Sequence, residues 1–202
     1  IRDRTGLENG KSYVFRVAAV NAAGSGPFTT IPSAVTPRTT PAVPLDVSGT
    51  PGDRQVTLSW RPPAADGGSA ITNYKVDFRR VDATDWSPVS REASAQATAV
   101  VASLVNGVSY VFRVAAVNSA GDSLFAQTAA SVTPRTVPAA PTAVTGASGN
   151  GQVVLAWQSP LDIGGATITD YKVEFRRNDI QNQAWSPVTR AASAATLDSG
   201  YR

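Results

Sequence analysis

Two glycine-rich loops are the first places in this sequence where residue type and spacing could do chemistry. They are Asp66–Ser69, which reads Asp-Gly-Gly-Ser, and Ile163–Gly165, which reads Ile-Gly-Gly. The backbone amides of such loops cradle phosphate when the loop ends in Gly-Lys-Ser or Gly-Lys-Thr and opens a helix. Neither loop has that ending or a helical pattern after it. We therefore interpret both as turns.

Acid–base, nucleophilic and metal chemistry is restricted by the residues that the sequence lacks. It contains no His and no Cys, which excludes a Ser-His-Asp triad, a Cys-His dyad and an ordinary zinc site. The 15 Asp and Glu residues lie mainly in loops, and they form no repeated pair of the kind that glycoside hydrolysis needs. We expect no enzyme activity, no cofactor and no metal.

Charge and hydropathy argue against two further classes of partner. The net charge is +3 and the pI is near 9.5, but the 15 Arg and 3 Lys are scattered singly or in pairs. A nucleic-acid footprint would cluster them on one face, so we expect no nucleic acid. No apolar run approaches the roughly 20 residues of a transmembrane helix, so we expect no membrane insertion. A protein without Cys has no disulfides, and it suits an extracellular or cell-surface location that offers no redox partner.

An internal repeat is the dominant feature of the sequence. Three pairs recur at a spacing of 97 residues: Trp60 and Trp157, Tyr74 and Tyr171, and the segments Leu7–Asn21 and Leu104–Asn118. The proline-rich linkers 36–44 and 133–141 match at the same spacing. Further on, Trp86 and Trp185 are 99 residues apart, and an insertion of two residues indicates a loop at a hairpin tip.

One complete unit is present, and its alternation of apolar and polar residues predicts seven short strands separated by turns. Val56, Leu58 and Trp60 share one face of the second strand, and Tyr74 and Val76 share the inward face of the third together with Phe78. The strands are predicted at 43–48, 54–61, 71–80, 86–91, 96–101, 104–118 and 125–133. No segment sustains a 3.6-residue apolar period, so helix should be minimal.

These motifs resemble the fibronectin type III domain. The resemblance is carried by Trp60 on the second strand, by Tyr-x-Val-x-Phe from Tyr74, and by the Leu-x5-Tyr of Leu104 and Tyr110, and it covers the whole chain. It implies an all-β, immunoglobulin-like fold, an antiparallel seven-stranded β-sandwich, and a non-catalytic extracellular module. Loops rich in Ala, Thr, Gly and Pro are similar to those of bacterial secreted members. The Asn118–Ser123 loop contains no Arg-Gly-Asp, so integrin recognition is not expected.

The repeat predicts a tandem array with incomplete ends. Residues 1–38 correspond to the C-terminal part of a unit, 39–137 to a complete domain and 138–202 to the N-terminal part of another. A window from a longer array, head-to-tail complementation between subunits and simple truncation all account for this pattern. The partial units should present inner faces that a neighbour must cover. These candidate inter-unit core residues are Leu7, Tyr13, Phe15, Val17, Trp157, Tyr171, Val173 and Phe175.

A possible interaction surface lies on the outer side of one sheet. Trp86 and Trp185 each precede Ser-Pro-Val on a short fourth strand, and Arg79 and Arg113 should share the outer face with Trp86, as Arg176 does with Trp185. One interpretation is that the arginine stems simply cover each indole. The other is an aromatic platform for sugar rings or for a neighbouring subunit.

The sequence predicts a structural function: spacing, display or the building of a surface fibre. Prolines at strand edges block edge pairing, and proline-rich linkers hold successive domains as semi-rigid spacers. The expected partners are neighbouring copies of the same repeat, in the same chain or in other subunits, with a polysaccharide or a cell-surface protein as further candidates. The alternative is an accessory array of a secreted polysaccharide-degrading enzyme, with weak carbohydrate or protein binding.

Overall fold

The computed structural model describes residues 4–189, which form short β-strands and no helix. No helix among them is long and apolar enough to cross a membrane. Two compact units are distinguished, and each is described by itself. One contains the chain up to Pro51 together with Gln55–Ser103 and Ser109–Val132, and the other contains Gly52–Arg54, Leu104–Val108 and the chain from Thr133 onward.

Four two-residue strands begin the first unit. They are β1 Arg16–Val17, β2 Val20–Asn21, β3 Gly24–Ser25 and β4 Thr29–Thr30. Strand β1 pairs with β4, and β2 pairs with β3, each time antiparallel. The backbone amide of Glu8 donates to the Tyr13 hydroxyl over 3.0 Å, so the tyrosine ties down the turn that precedes its own strand.

The central sandwich has a three-stranded and a five-stranded sheet, which confirms the predicted fold class. The first sheet has the order β5 (Leu45–Gly52), β6 (Gln55–Arg61), β9 (Thr98–Val101). The second contains β7 (Asn73–Arg80), β8 (Ser87–Pro88), β10 (Tyr110–Asn118), β11 (Gly121–Asp122) and β12 (Ala126–Gln127). Strand β10 is central in the second sheet and pairs antiparallel with β7, β11 and β12.

The core lies where period-two alternation predicts it. On β6, Val56 and Leu58 are fully buried and Trp60 is nearly so. Tyr74 packs from β7 with its ring centre 5.1 Å from that of Trp60, at an angle of 64°. Edge-to-face packing of this kind contributes about 0.5–1.5 kcal/mol beyond the area buried.

The last strand departs from the predicted 125–133 because side-chain hydroxyls replace part of its ladder. The Ser123 Oγ accepts from the Ala116 amide over 2.9 Å, and the Thr128 Oγ1 accepts from the Phe112 amide over 3.3 Å. Both hydroxyls are buried. The predicted strand is therefore reduced to β12 and an isolated bridge of Val132 with Tyr110, and β11 forms in the Asn118–Ser123 segment before it. The first strand also shifts, starting at Leu45 directly after Pro44, which has no amide to donate.

Four strands lie in the second unit. They are β13 Thr142–Ser148, β14 Val153–Gln158, β15 Glu174–Phe175 and β16 Ser186–Pro187. Strand β13 pairs with β14, and β15 pairs with β16, again antiparallel. Trp157 and Tyr171 repeat the packing of the central domain, with ring centres 5.2 Å apart at 63°. The same local core therefore forms twice.

Candidate functional site

The outer face of the second sheet brings an ion pair into the middle of two paired strands. Arg113 on β10 lies directly opposite Asp77 on β7, and its Nε donates to Asp77 Oδ2 over 2.8 Å. The side chains are only 28% and 13% exposed. Because both charges are largely removed from water, each depends on the other more than a surface pair would.

Two aromatic rings cover the same guanidinium. The Arg113 Cζ lies 4.3 Å from the centre of the Trp86 ring and 4.1 Å from the centre of the Phe125 ring. The Arg79 Cζ lies 5.1 Å from the Trp86 ring. The structure thus brings together the predicted Trp86, Arg79 and Arg113, and it adds Phe125 and Asp77. We call these five residues the outer stack.

The arginines of the outer stack are already engaged within the domain. Arg79 Nη1 donates to the backbone oxygen of Ala83 over 2.5 Å, and Arg113 holds Asp77 as described. Trp86 is half-buried beneath the two guanidinium groups. This geometry favours the interpretation of an indole covered by arginine stems. A ligand platform at Trp86 stays a prediction.

The segments before and after the central domain each hold one part of an equivalent stack. In the second unit the Arg176 Cζ lies 4.7 Å from the Trp185 ring, and Trp185 is 57% exposed. Near the start of the first unit the Arg16 Cζ lies 4.2 Å from the Phe28 ring. These pairs correspond by repeat position to Arg79 with Trp86 and to Arg113 with Phe125.

The predicted inter-unit core residues differ in burial from their central counterparts. Val17 is 71% exposed, whereas its counterpart Val114 is fully buried. Phe175 is likewise exposed, at 58%. Four further members are half-buried and two are buried: Leu7, Tyr13, Phe15 and Val173 in the first group, and Trp157 and Tyr171 in the second. An identical strand motif is therefore covered in one copy and open in another.

A groove of about 770 Å³ lies in the first unit beside the Asp66–Ser69 loop. The charged residues that line it are Lys11 and Asp66, and Asp66 Oδ1 already accepts from the Gly68 amide over 2.8 Å. Within residues 4–189 there is no group of three or more metal-ligating side chains. The groove offers no pair of groups for acid–base work.

Titration is perturbed at three described groups, and none of them lies in the groove or the outer stack. Burial raises the pKa of the Tyr74 phenol, and the neighbouring Trp60 indole offsets part of this. The hydrogen bond to Glu174 raises the pKa of Lys172, and the hydrogen bond from Arg177 lowers the pKa of Asp179. The last two are exposed ion pairs at the surface, so these shifts do not indicate catalysis.

Sequence reasoning missed Phe125 and the pairing of Asp77 with Arg113. A signal for Phe125 was present, because Phe28 recurs as Phe125 at the 97-residue spacing. Alternation along β7 puts Asp77 on the face opposite Tyr74 and Val76, but its partner depends on the register between β7 and β10. Register between strands distant in sequence is not written in either strand alone.

Comparison with known proteins gives a family match for the central domain. Residues 40–133 match the fibronectin type III domain. M-protein of striated muscle from Gallus gallus is 30% identical over 187 residues, and Homo sapiens myomesin-2 is 30% identical over 200 residues, with 88% and 94% of this chain covered. The chain spans 13% of the length of each.

A Drosophila melanogaster titin is also similar, at 33% identity over 196 residues, which cover 90% of this chain and 1% of that protein. Among solved structures, consecutive domains from titin superpose with a TM-score of 0.51 at 29% identity, over 63% of this chain and 42% of that one. These relatives are animal muscle proteins. They do not support the expectation of a bacterial secreted protein.

Proposed function

We propose that the chain is a non-catalytic structural array of fibronectin type III modules, on the basis of the match of residues 40–133 to that domain. It spaces and connects, and its incomplete units are completed by neighbouring copies of the same repeat. The relatives support a structural function, because the chain matches short stretches of much longer muscle proteins.

The contrast between Val17 and Val114 carries this proposal. The two valines occupy the same position of the repeat, and they are 71% and 0% exposed. Val114 is buried in the central sandwich, whose other sheet is β5–β6–β9, whereas the four short strands within residues 4–38 leave Val17 exposed. Contiguous apolar surface of this kind indicates an interaction face. The chemically matched cover is the first sheet of another repeat.

The array's compartment is proposed on composition alone. The absence of Cys suits a location outside the cell or on its surface, where the fold must stand without a redox partner. Extracellular or cell-surface placement, fibre formation and adhesion are parts of the proposal. Secretion of the tagged chain by a eukaryotic cell line, against cytosolic retention, is the observation that tests its location.

Light scattering coupled to size-exclusion chromatography tests the completion of the partial units. We expect the 202-residue chain to exceed its 21.0 kDa monomer mass in a concentration-dependent manner, since residues 4–38 of one copy complement the second unit of another. Val17→Asp should weaken this association because it places a carboxylate on the apolar face.

A matched control is Leu124→Asp, since Leu124 is 81% exposed within the complete central domain. It introduces the same charge without touching a partial unit, and it should leave the mass unchanged. A chain that stays at the monomer mass at every concentration would contradict the proposal. Equal behaviour of the two variants would contradict it as well.

A second function is favoured by one observation. Trp185 is 57% exposed, so its ring is open to stacking against a sugar in a way that Trp86 is not. This suits the accessory array of a polysaccharide-degrading enzyme. A saturable fluorescence change with a soluble β-linked glucose oligosaccharide, lost in Trp185→Ala and kept in Trp86→Ala, would support it. No change at millimolar oligosaccharide would rule it out.

A further inference from the structure

The two glycine-glycine loops meet an Asn-Gly turn in the same way in both units. In the first unit the Asn9–Gly10 turn lies against Gly67 and Gly68, and in the second the Asn106–Gly107 turn lies against Gly164–Gly165. Each turn precedes a proline-rich linker, and each loop belongs to the repeat after that linker. We propose that the glycine-glycine loop is a socket that docks the Asn-Gly turn of the preceding repeat and locks the joint between successive repeats.

The backbones of the glycine-glycine loop and the Asn-Gly turn lie very close together. A Cβ placed on Gly68 would lie 2.2 Å from the Gly10 amide nitrogen, and one on Gly165 would lie 2.3 Å from the Gly107 nitrogen. Real Cβ atoms do not approach backbone this closely, so no side chain fits at either position. The socket exists only because the second glycine has no Cβ.

The first glycine of each loop is restricted in the same way by the linker. A Cβ on Gly67 would lie 2.1 Å from the Thr39 oxygen, and one on Gly164 would lie 2.2 Å from the Thr136 oxygen. Both glycines also have positive φ, +76° and +69°, which L side chains rarely adopt. Shape and backbone conformation therefore require glycine independently.

Hydrogen bonds hold each linker to the loop that follows it. The Thr39 amide donates to the Gly67 oxygen over 2.9 Å, and the Thr136 amide donates to the Gly164 oxygen over 2.8 Å. Three residues further on, the Ala42 amide donates to the Ala65 backbone oxygen. In the second unit the Ala139 amide donates to the Asp162 backbone oxygen, and both bonds are 2.9 Å long. The linker is bonded like a strand rather than free.

Each linker is also bonded to the repeat before it. The Gly10 amide donates to the Pro37 oxygen, and the Gly107 amide donates to the Pro134 oxygen, each over 2.9 Å. With bonds on both sides, a linker cannot bend without breaking backbone hydrogen bonds, and its prolines fix φ as well. The linker segment is therefore held to the segments on both sides of it.

The two joints differ in side chains and agree in backbone. Asp66 stands where the second loop has Ile163, yet the bonds and close approaches are the same in both. None of the six ion pairs of the described residues includes a residue of either joint. The contacts that the two joints share are therefore backbone contacts, although in each joint a carboxylate also accepts from a loop amide, Asp66 from Gly68 and Asp162 from Gly164.

Buried Asn118 reinforces the first joint from the central domain. Its Nδ2 donates to the backbone oxygen of Thr39 over 2.9 Å and to the backbone oxygen of Asp66 over 2.6 Å. Its Oδ1 accepts from the Ala120 amide over 2.8 Å. A single side chain thus holds the linker, the loop and its own turn together, and at 5% exposure it does so away from competing water.

Amide hydrogen exchange measured by NMR on the 202-residue chain tests the joint. We expect the Thr39, Ala42, Thr136 and Ala139 amides to exchange at least about tenfold more slowly than in an unstructured linker. Gly68→Ala should remove protection at Thr39 while the Thr136 amide stays protected. Gly165→Ala should have the reverse effect. Exchange of the β10 amides reports that the central domain remains folded in both variants.

Gly6→Ala is the matched control, because Gly6 has φ of +75° but no atom near its added Cβ. Alanine at this position has the same unfavourable φ, and it should leave the amides of both linkers protected from exchange. Unprotected linker amides in the wild type would overturn the inference, as would unchanged protection in Gly68→Ala and Gly165→Ala. The inference rests on the proposed array, but protected linkers in a chain that stays monomeric would uphold the joint and refute completion by neighbours.

Discussion

The guanidinium of Arg113 on β10 lies 4.3 Å from the centre of the Trp86 ring, although Trp86 directly precedes β8 and β7 lies between β8 and β10 in the sheet. Strand β7 supplies Asp77 directly beneath that guanidinium. The positive charge is thus held by a carboxylate from below and by the faces of Trp86 and Phe125. The Arg113 side chain thus links β10 to β7, to the residue before β8 and to the residue before β12.

Arg113→Ala should therefore destabilise the central domain more than Arg79→Ala does. Removing Arg113 loses two cation–π contacts and leaves Asp77 largely buried without its partner, which costs about 1–3 kcal/mol after allowance for solvent screening. Arg79→Ala loses one longer cation–π contact and the hydrogen bond to the Ala83 backbone oxygen, and we expect about 0.5–1.5 kcal/mol. Urea unfolding followed by circular dichroism measures both free energies of unfolding.

Arg113→Lys separates charge from shape in the same assay. Lysine keeps the charge but lacks the planar group that lies over the rings, so it should recover only part of the lost stability. Ordinary surface substitutions change the free energy of unfolding by up to about 0.5 kcal/mol. If the free energy of unfolding of Arg113→Ala differed from that of the wild type by no more than this, the outer stack would have no structural importance.

Trp185 should be accessible where Trp86 is covered. Its ring is 57% exposed and contacts Arg176 alone among the described arginines, whereas two guanidinium groups lie over Trp86. In dilute solution, acrylamide quenching of tryptophan fluorescence should fall clearly in Trp185→Phe and only slightly in Trp86→Phe. The opposite ranking would show that the coverage of the two indoles has been assigned wrongly.

The sequence predicted the core and the outer stack better than the joints. Val56, Leu58 and Trp60 are set by period-two alternation within one strand, which is local information. Trp86 and Arg113 could be assigned to one face because the family resemblance supplied the strand order. The sequences of the glycine loops predicted turns but not their docking. The docking is an approach of backbone to backbone, so it leaves no pattern of side chains in the sequence.

Tyr74 should make the stability of the central domain sensitive to alkaline pH. Burial raises the pKa of its phenol above the usual 10.0, so the unfolded chain loses this proton at lower pH than the folded chain. The stability that the neutral phenol contributes is complete below the unfolded pKa and is lost as pH rises through the folded pKa. The unfolding temperature should fall above about pH 10.

Calorimetry of Tyr74→Phe checks this assignment. The phenylalanine variant should show a smaller loss of unfolding temperature between neutral and alkaline pH than the wild type. Tyr13→Phe is a suitable comparison, because Tyr13 lies in the incomplete unit and its hydroxyl accepts from Glu8. An identical pH slope in wild type and Tyr74→Phe would mean that another group controls alkaline unfolding.

Gly49 and Gly146 occupy the same repeat position and should respond differently to alanine. A Cβ on Gly49 would lie 2.9 Å from both Val132 Cγ2 and Val56 Cγ1, whereas a Cβ on Gly146 meets nothing closer than Val153 Cγ1 at 3.4 Å. Gly49→Ala should cost about 1–3 kcal/mol by overpacking. Gly146→Ala should change the dilute chain by less than about 0.5 kcal/mol.

The Gly146→Ala substitution should be harmless in the dilute chain but unfavourable when copies associate. If a neighbouring copy completes the second unit, its Val35 takes the place that Val132 has beside Gly49, since Val35 and Val132 are equivalent in the repeat. An added methyl then meets that valine, so Gly146→Ala should weaken self-association while leaving the monomer stable. Sedimentation at increasing concentration measures this, with Gly151→Ala, whose Cβ meets no atom, as control. Unchanged association in Gly146→Ala would show that the neighbour does not pack as the central domain does.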